Sequence, residues 1–283
     1  MGLGGYLTWT AVAREICNAT GLNKVFPFEQ HNGPLIKTIK TSMFENNPYF
    51  QQDFDSRSPA FPLQLNNPAT NYCKQDTHEK AVHRYDKHII EQICEFYGIK
   101  NPKLKCEIYF SDKEKKFALD VLSIHSLSTN NFIVIEPQSN DEYTVNKLYS
   151  FKKWQLVTDE LVKLGFTLVQ VGKENSSNRL KNVIDLTGKT SFREAAAIIK
   201  NSSLFISSEG GLMHAANAVG VKSVILFTGF IHPRMTGYPE NKNLWIGNDH
   251  GPCGMKVRCS SCAKNVEDHD YFEIVEAVKG MIK

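Results

Sequence analysis

The sequence predicts an α/β protein built on parallel, doubly wound sheets. Short apolar runs of strand length alternate with amphipathic helical segments, which calls for crossover connections. The helical segments carry their own start and stop signals. The 283 residues also suit two domains, at roughly 100–200 residues each.

In chain order, Gly2-Leu3-Gly4-Gly5 forms a glycine-rich turn, and Tyr6–Cys17 reads as a helix. Such a turn ordinarily follows a strand. Either the gene begins further upstream, or this domain lacks its first strand. Lys24–Phe28 reads as a strand, His88–Tyr97 as a helix stopped by Gly98, and Cys106–Tyr109 as a second strand. Ser111 and Glu114 form a capping box for a helix to about Leu122. Residues 125–131 are polar and place the domain boundary, giving domains 1–128 and 129–283.

The second domain is more regular. Phe132–Glu136 is a strand closed by Pro137. Residues 151–164 put Trp154, Leu156, Val157, Leu161, Val162 and Leu164 on one helical face, with Gly165 behind them. Phe166–Val171 is a buried strand, and Ser191 with Glu194 caps the helix through Ile199. Leu204–Ser207, Leu212–Val219 and Lys222–Phe227 continue as strand, helix and strand.

The composition narrows the function. The 33 basic and 30 acidic residues leave a net charge of +3, which gives no reason to expect nucleic acid as a partner. No apolar run approaches the roughly 18 residues of a membrane span, and the N-terminus lacks the basic start and apolar core of a signal peptide. A cytoplasmic protein is expected. Seven cysteines, an odd number, argue against a secreted disulfide framework.

Four groups of residues could carry chemistry. Ser207-Ser208-Glu209-Gly210-Gly211-Leu212-Met213-His214 joins a strand to a helix. Its glycines let a ligand approach the backbone, and the helix N-terminus favours an anion. His214 could donate to a phosphate or sugar oxygen. A plain strand-to-helix turn would look the same, except for Glu209 and His214 flanking it. Lys147, in a basic segment before Trp154, could reach a phosphate at the strand ends or form part of a solvated patch. Glu174 ends a strand where acidic residues of nucleotide-binding folds accept ribose hydroxyls. Its other reading is a loop glutamate. Finally, His250, Cys253, Cys259 and Cys262 include a C-x-x-C pair that could place two thiolates on a structural zinc. Reduced unligated cysteines, or a redox pair, fit the same spacing.

Taken in order, these elements resemble the heptosyltransferase family, glycosyltransferase family 9. Lys147 and Trp154 match its lysine near a tryptophan, and Glu209-Gly210-Gly211-Leu212-Met213-His214 matches its Asp-Ser-Gly-Pro-x-His signature. Ala215–Gly220, the strand to Phe227, and Gly188-Lys189-Thr190 fit as well. The resemblance implies a GT-B architecture, two Rossmann-like domains facing across a cleft. The first domain would bind the acceptor and the second a nucleotide-sugar donor. Lys147 and the Gly210–Leu212 turn would hold the diphosphate, Glu174 the ribose, and His214 a phosphate or sugar. The expected reaction is inverting and needs no cofactor. The expected acceptor is a cell-surface glycan or glycolipid such as lipopolysaccharide or capsule, met at the inner face of the membrane. Two departures stand out: Glu209 replaces the signature aspartate, and Gly5 replaces the aspartate that serves as the family's base. Glu29 and His31, read as lying just past a strand end, are the base candidates. A nucleotide-sugar epimerase of the same fold and a non-catalytic sugar-nucleotide binder are the alternatives.

Overall fold

The computed structural model describes residues 1–51, 53, 57–84, 86–138, 143–174, 179–248 and 251–282. The N-terminal part runs α1 (Leu3–Thr20), β1 (Val25–His31), β2 (Leu35–Thr38), β3 (Phe61–Gln64), β4 (Cys73–Asp76), β5 (Ala81–His83), α2 (Ile89–Phe96) and α3 (Asp112–Ile124). There follow β6 (Ile133–Glu136), α4 (Phe151–Lys163), β7 (Leu168–Gln170), β8 (Ile184–Asp185), α5 (Phe192–Ile199), β9 (Leu204–Ser208) and α6 (Gly211–Val219). The chain closes with β10 (Ser223–Phe227), α7 (Pro233–Thr236), β11 (Lys242–Trp245), α8 (Ser260–Asp268) and α9 (Phe272–Met281).

The C-terminal strands form one six-stranded sheet in the order β11-β10-β9-β6-β7-β8, and every pairing in it is parallel. Alternate residues of each strand serve opposite faces. Ile133 and Ile135 pack with Trp154, Val157 and Leu161 of α4 and with Ile274 and Val278 of α9. Phe132 and Val134 pack toward Ala196 and Ile199 of α5 and toward Met213 and Ala216 of α6. That second cluster continues into the N-terminal part through Leu7, Ala11, Val12 and Ile16 of α1. Helix α1 lies against α6, and α3 against α5. Arg193 rivets the two parts together. It pairs with Glu114 at 2.5 Å and donates to the carbonyls of Ser42 and Tyr109.

Both capping boxes read from sequence are present, Ser111 with Glu114 and Ser191 with Glu194. Other expectations change. Cys106–Tyr109 forms no strand among the described residues. Its amides meet side chains of helices: Cys106 N–H donates to Asn217 Oδ1 and Glu107 N–H to Thr10 Oγ1, both at 2.8 Å. Arg14 donates to the carbonyls of Lys103 and Lys105. The N-terminal sheet is small, ordered β2-β1-β3, with β2 antiparallel to β1. Strand β1 runs past Phe28 to His31, so Glu29 and His31 lie inside it, opposite Lys37 and Leu35. On α4, Leu156 and Leu164 are exposed and Thr158 is buried instead, because the buried stripe follows Trp154, Val157, Thr158 and Leu161.

Candidate donor site at the carboxyl edge of the sheet

The strand order reverses between β6 and β9, and ligands of open α/β sheets bind outside the carboxyl ends of strands at such a point. Here the register sets Glu136 opposite Ser207. The chain leaves β9 through Glu209 and Gly210 and enters α6 at Gly211. Neither Gly210 at the start of α6 nor Gly2 at the start of α1 offers a side chain to cap the first amides of its helix.

These two helix starts touch. A Cβ on Gly4 would lie 2.8 Å from Gly211 Cα and 2.9 Å from His214 Cδ2, so only glycine permits the approach. Each N-terminus carries roughly half a positive charge. Two such ends in contact repel, and an anion bound between them relieves the repulsion.

Lys147 stands over the same edge. It closes a short 3₁₀ turn, Val145–Lys147, capped by the Thr144 hydroxyl. Its Nζ lies 2.6 Å from Glu209 Oε2, with the carboxylate side chain 7% exposed, and 5.3 Å from the centre of the Phe230 ring. The neighbouring Asn146 pins this turn to the cysteine loop. It donates to the carbonyls of Met255 and Val257 and accepts from Cys259 N–H. The structure therefore brings together Lys147, Glu209, Gly210, Gly211, Leu212 and His214.

His214 is neutral. Burial, reinforced by Lys147, pulls its pKa down to about 3. Its Nδ1 lies 2.6 Å from the Tyr238 hydroxyl, which also meets Cys106 Sγ at 3.0 Å. If the phenol donates to Nδ1, the ring proton sits on Nε2 and is available to a ligand. Glu174 is exposed beyond β7, packed over Gly188, whose φ of +71° and lack of a side chain make room for it.

Glu136 was not singled out by sequence reasoning. It is 9% exposed, its Oε2 has no hydrogen-bond partner among the described residues, and burial raises its pKa to about 8. Ser207 Oγ and Ser208 Oγ are also buried without partners among the described residues. The available signal was an acid closing an otherwise apolar strand.

Glu29 and His31 are not drawn into this cluster. They pair with each other at 3.2 Å, with the His31 side chain about half exposed. Glu29 is near enough to Tyr6 of α1 to add to the upward pKa shift that burial causes there.

The three C-terminal cysteines converge, with their sulfurs all within 4.8 Å of one another. Cys253 and Cys262 are 3.2 Å apart. The hydrogen bond from Cys262 leads the causes that lower the Cys253 thiol to about 6, and it raises that of Cys262. A tetrahedral ion with thiolates at about 2.3 Å spaces its sulfurs by roughly 3.8 Å, so this set fits a metal. His250 lies outside the described residues. The loop sits beneath the β10 turn: Cys253 N–H donates to Gly229 O at 2.8 Å, and a side chain at Gly229 would meet Cys262 Sγ.

The family model for glycosyltransferase family 9 (heptosyltransferase) matches residues 49–266. A search of curated proteins finds no match. Among solved structures, the glycosyl transferase family 9 protein of Veillonella parvula DSM 2008 is similar over 100% of this chain and 94% of its own, with a TM-score of 0.69 and 15% identity. The dodecameric iron-containing heptosyltransferase TibC of enterotoxigenic E. coli, solved with ADP-D-β-D-heptose, gives 0.66 and 16% over 99% of this chain and 74% of its own. The E. coli ADP-heptose lipopolysaccharide heptosyltransferase II gives 0.51 and 18% over 69% of this chain and 62% of its own. At these identities the structural likeness speaks for the fold, α/β of the GT-B type. The family match goes further: the chain belongs to glycosyltransferase family 9, the heptosyltransferases, and is a glycosyltransferase.

Proposed function

We propose that the protein transfers a heptose or related hexose-type sugar from a nucleoside-diphosphate donor to a cell-surface glycan such as lipopolysaccharide or capsule, with inversion and without a catalytic metal. The observation that carries this is the meeting of two uncapped helix N-termini beside Lys147. That arrangement is built for a dianionic leaving group. As the bond to the sugar breaks, charge grows on the diphosphate. Fixed amides and the ammonium then stabilise the transition state more than the ground state. Glu209 holds Lys147 in place before the donor arrives. In this reading Glu174 takes the ribose hydroxyls, and His214 Nε2–H donates to a phosphate or sugar oxygen. The bound ADP-heptose of TibC supports an ADP-linked donor. Glu29, near Tyr6 of α1, and His31, paired with it, would face the acceptor in this reading.

No helix among the described residues is long and apolar enough to cross a membrane. A lipid-linked acceptor would be met from the cytoplasmic face. The cysteine cluster stands apart from the chemistry as a structural metal site. Cys253, Cys259 and Cys262 would supply thiolates, and zinc or iron would cross-link the loop.

Titration with ADP, followed by thermal unfolding, tests the donor site directly. Lys147→Ala should lower kcat by roughly 10²–10³, about 2.7–4 kcal/mol of lost transition-state stabilisation. Unchanged turnover and unchanged ADP binding in that variant would remove Lys147 from the site.

A further inference from the structure

A neutral histidine offers a proton at one ring nitrogen and a lone pair at the other, and the partner of one nitrogen decides what the other presents. The choice matters at His214, which stands near the positive end of α6. A Cβ on Gly4 would lie 2.9 Å from His214 Cδ2, so the side of the ring that carries Cδ2 and Nε2 faces the meeting of α1 with α6. A proton on Nε2 adds to the attraction for an anion there, and a lone pair opposes it. The other side of the ring carries Nδ1, which lies 2.6 Å from the Tyr238 hydroxyl.

Tyr238 is fully buried in the connection from α7 to β11. Its backbone is fixed on both sides: Gly237 N–H donates to Pro233 O at 2.7 Å, and Asn243 Nδ2 donates to Tyr238 O at 3.0 Å. The phenol ring stands edge-to-face on His214, at 90° with centres 5.6 Å apart, and His88 packs against it at 5.3 Å. Behind the hydroxyl, Cys106 Sγ lies 3.0 Å away. Cys106 is itself anchored to α6, since its N–H donates to Asn217 Oδ1 at 2.8 Å. Thiol, phenol and imidazole thus stand in a row, and all three are neutral. Burial pushes the Cys106 thiol up to about 12 and the Tyr238 phenol well above its usual value. Burial, with Lys147 second, keeps the His214 ring uncharged. The phenol has one proton for two neighbours. A thiol sulfur is a weak acceptor and brings an S–H of its own, whereas a neutral imidazole brings a ring lone pair. The chain therefore runs from Cys106 S–H to the phenol oxygen, and from the phenol O–H to His214 Nδ1. The ring proton is left on Nε2.

We propose that Tyr238 is a positioning residue of the donor site: its hydroxyl, backed by Cys106, holds His214 in the Nε2–H tautomer and so makes the ring a hydrogen-bond donor toward the diphosphate. This rests on the transferase reading above, which supplies the anion. Tyr238 touches no ligand in this role. No proton is transferred along the row, which acts only by fixing where the ring proton sits.

Long-range proton–nitrogen correlation spectra of the full chain, isotope-labelled at histidine, read the tautomer directly. The His214 signal is identified by its loss in His214→Gln. Wild type should carry the proton on Nε2. Tyr238→Phe keeps the ring and removes only the hydroxyl. Its His214 should move to the Nδ1–H form or to a mixture, and its Kd for ADP should rise about tenfold or more, the worth of a hydrogen bond to a charged group. Cys106→Ala removes the phenol's other neighbour but leaves its bond to Nδ1. That variant should keep the proton on Nε2 and bind ADP within about threefold of wild type. A wild-type proton on Nδ1 overturns the proposal. So does Tyr238→Phe with an unchanged tautomer, or with a changed tautomer and unchanged ADP affinity. If Cys106→Ala loses the tautomer and ADP affinity together with Tyr238→Phe, packing and not the phenol proton is responsible, and the proposal falls. A wild type that binds no ADP refutes the donor site of the transferase reading, whereas one that binds ADP with a tautomer indifferent to Tyr238 refutes this proposal alone.

Discussion

At the scale of single residues, the carboxyl edge of the large sheet shows what sequence can and cannot reveal. Glycines and a histidine after a strand are a visible pattern, and Lys147, Glu209 and His214 were legible because their chemistry stands out from their neighbours. Glu136 was not, because nothing in a linear sequence says that its carboxyl points into the fold without a partner. Its titration has a clear sign. The folded protein holds this proton up to about pH 8, whereas an ordinary glutamate carboxyl loses it near 4.5. Between those values the folded state binds more protons, so stability falls as pH rises across that window. Each pH unit of that shift is worth about 1.4 kcal/mol, so the whole effect is a few kcal/mol. Glu136→Gln should therefore match wild type in urea midpoint near pH 4 and exceed it near pH 9. Parallel curves across the window would show that the carboxyl already ionises in the folded state.

At the scale of elements, caps and glycine stops located helices well. Both predicted capping boxes formed, and Gly165 ends α4 in the left-handed region at φ +87°. Strands were less legible. The pattern at Cys106–Tyr109 encodes extended backbone, but whether a ladder forms depends on a neighbour, and here Thr10, Arg14 and Asn217 take that place. The meeting of α1 with α6 was equally hidden, since it depends on two glycines some two hundred residues apart. It yields a sharp expectation. A single methyl at Gly4 collides with Gly211 Cα, which is backbone and cannot swing aside. Gly4→Ala should cost about 1–3 kcal/mol in stability and weaken ADP binding at the same time. Gly2→Ala, with nothing within 4 Å, should do neither. Calorimetry of both variants with ADP separates the cases.

At the scale of the whole molecule, the cysteine loop ties distant parts together. It joins the Lys147 turn through Asn146, the β10 turn through Gly229, and the β4–β5 hairpin through Gly254. A metal held by Cys253, Cys259 and Cys262 would brace all three. Elemental analysis should find about one zinc or iron per chain, and chelation should lower both Tm and turnover. Metal-free protein of undiminished Tm would leave the three thiols as ordinary packing.

The apolar cluster that runs from β6 through α6 into α1 has a kinetic consequence. Two lobes that share one greasy interior cannot swing apart like jaws without exposing Leu7, Val12 and Met213 to water. The contact of Gly4 with Gly211 is therefore a fixed junction, and if it seats the diphosphate as proposed, little of the donor's binding energy need go into closing the protein around it.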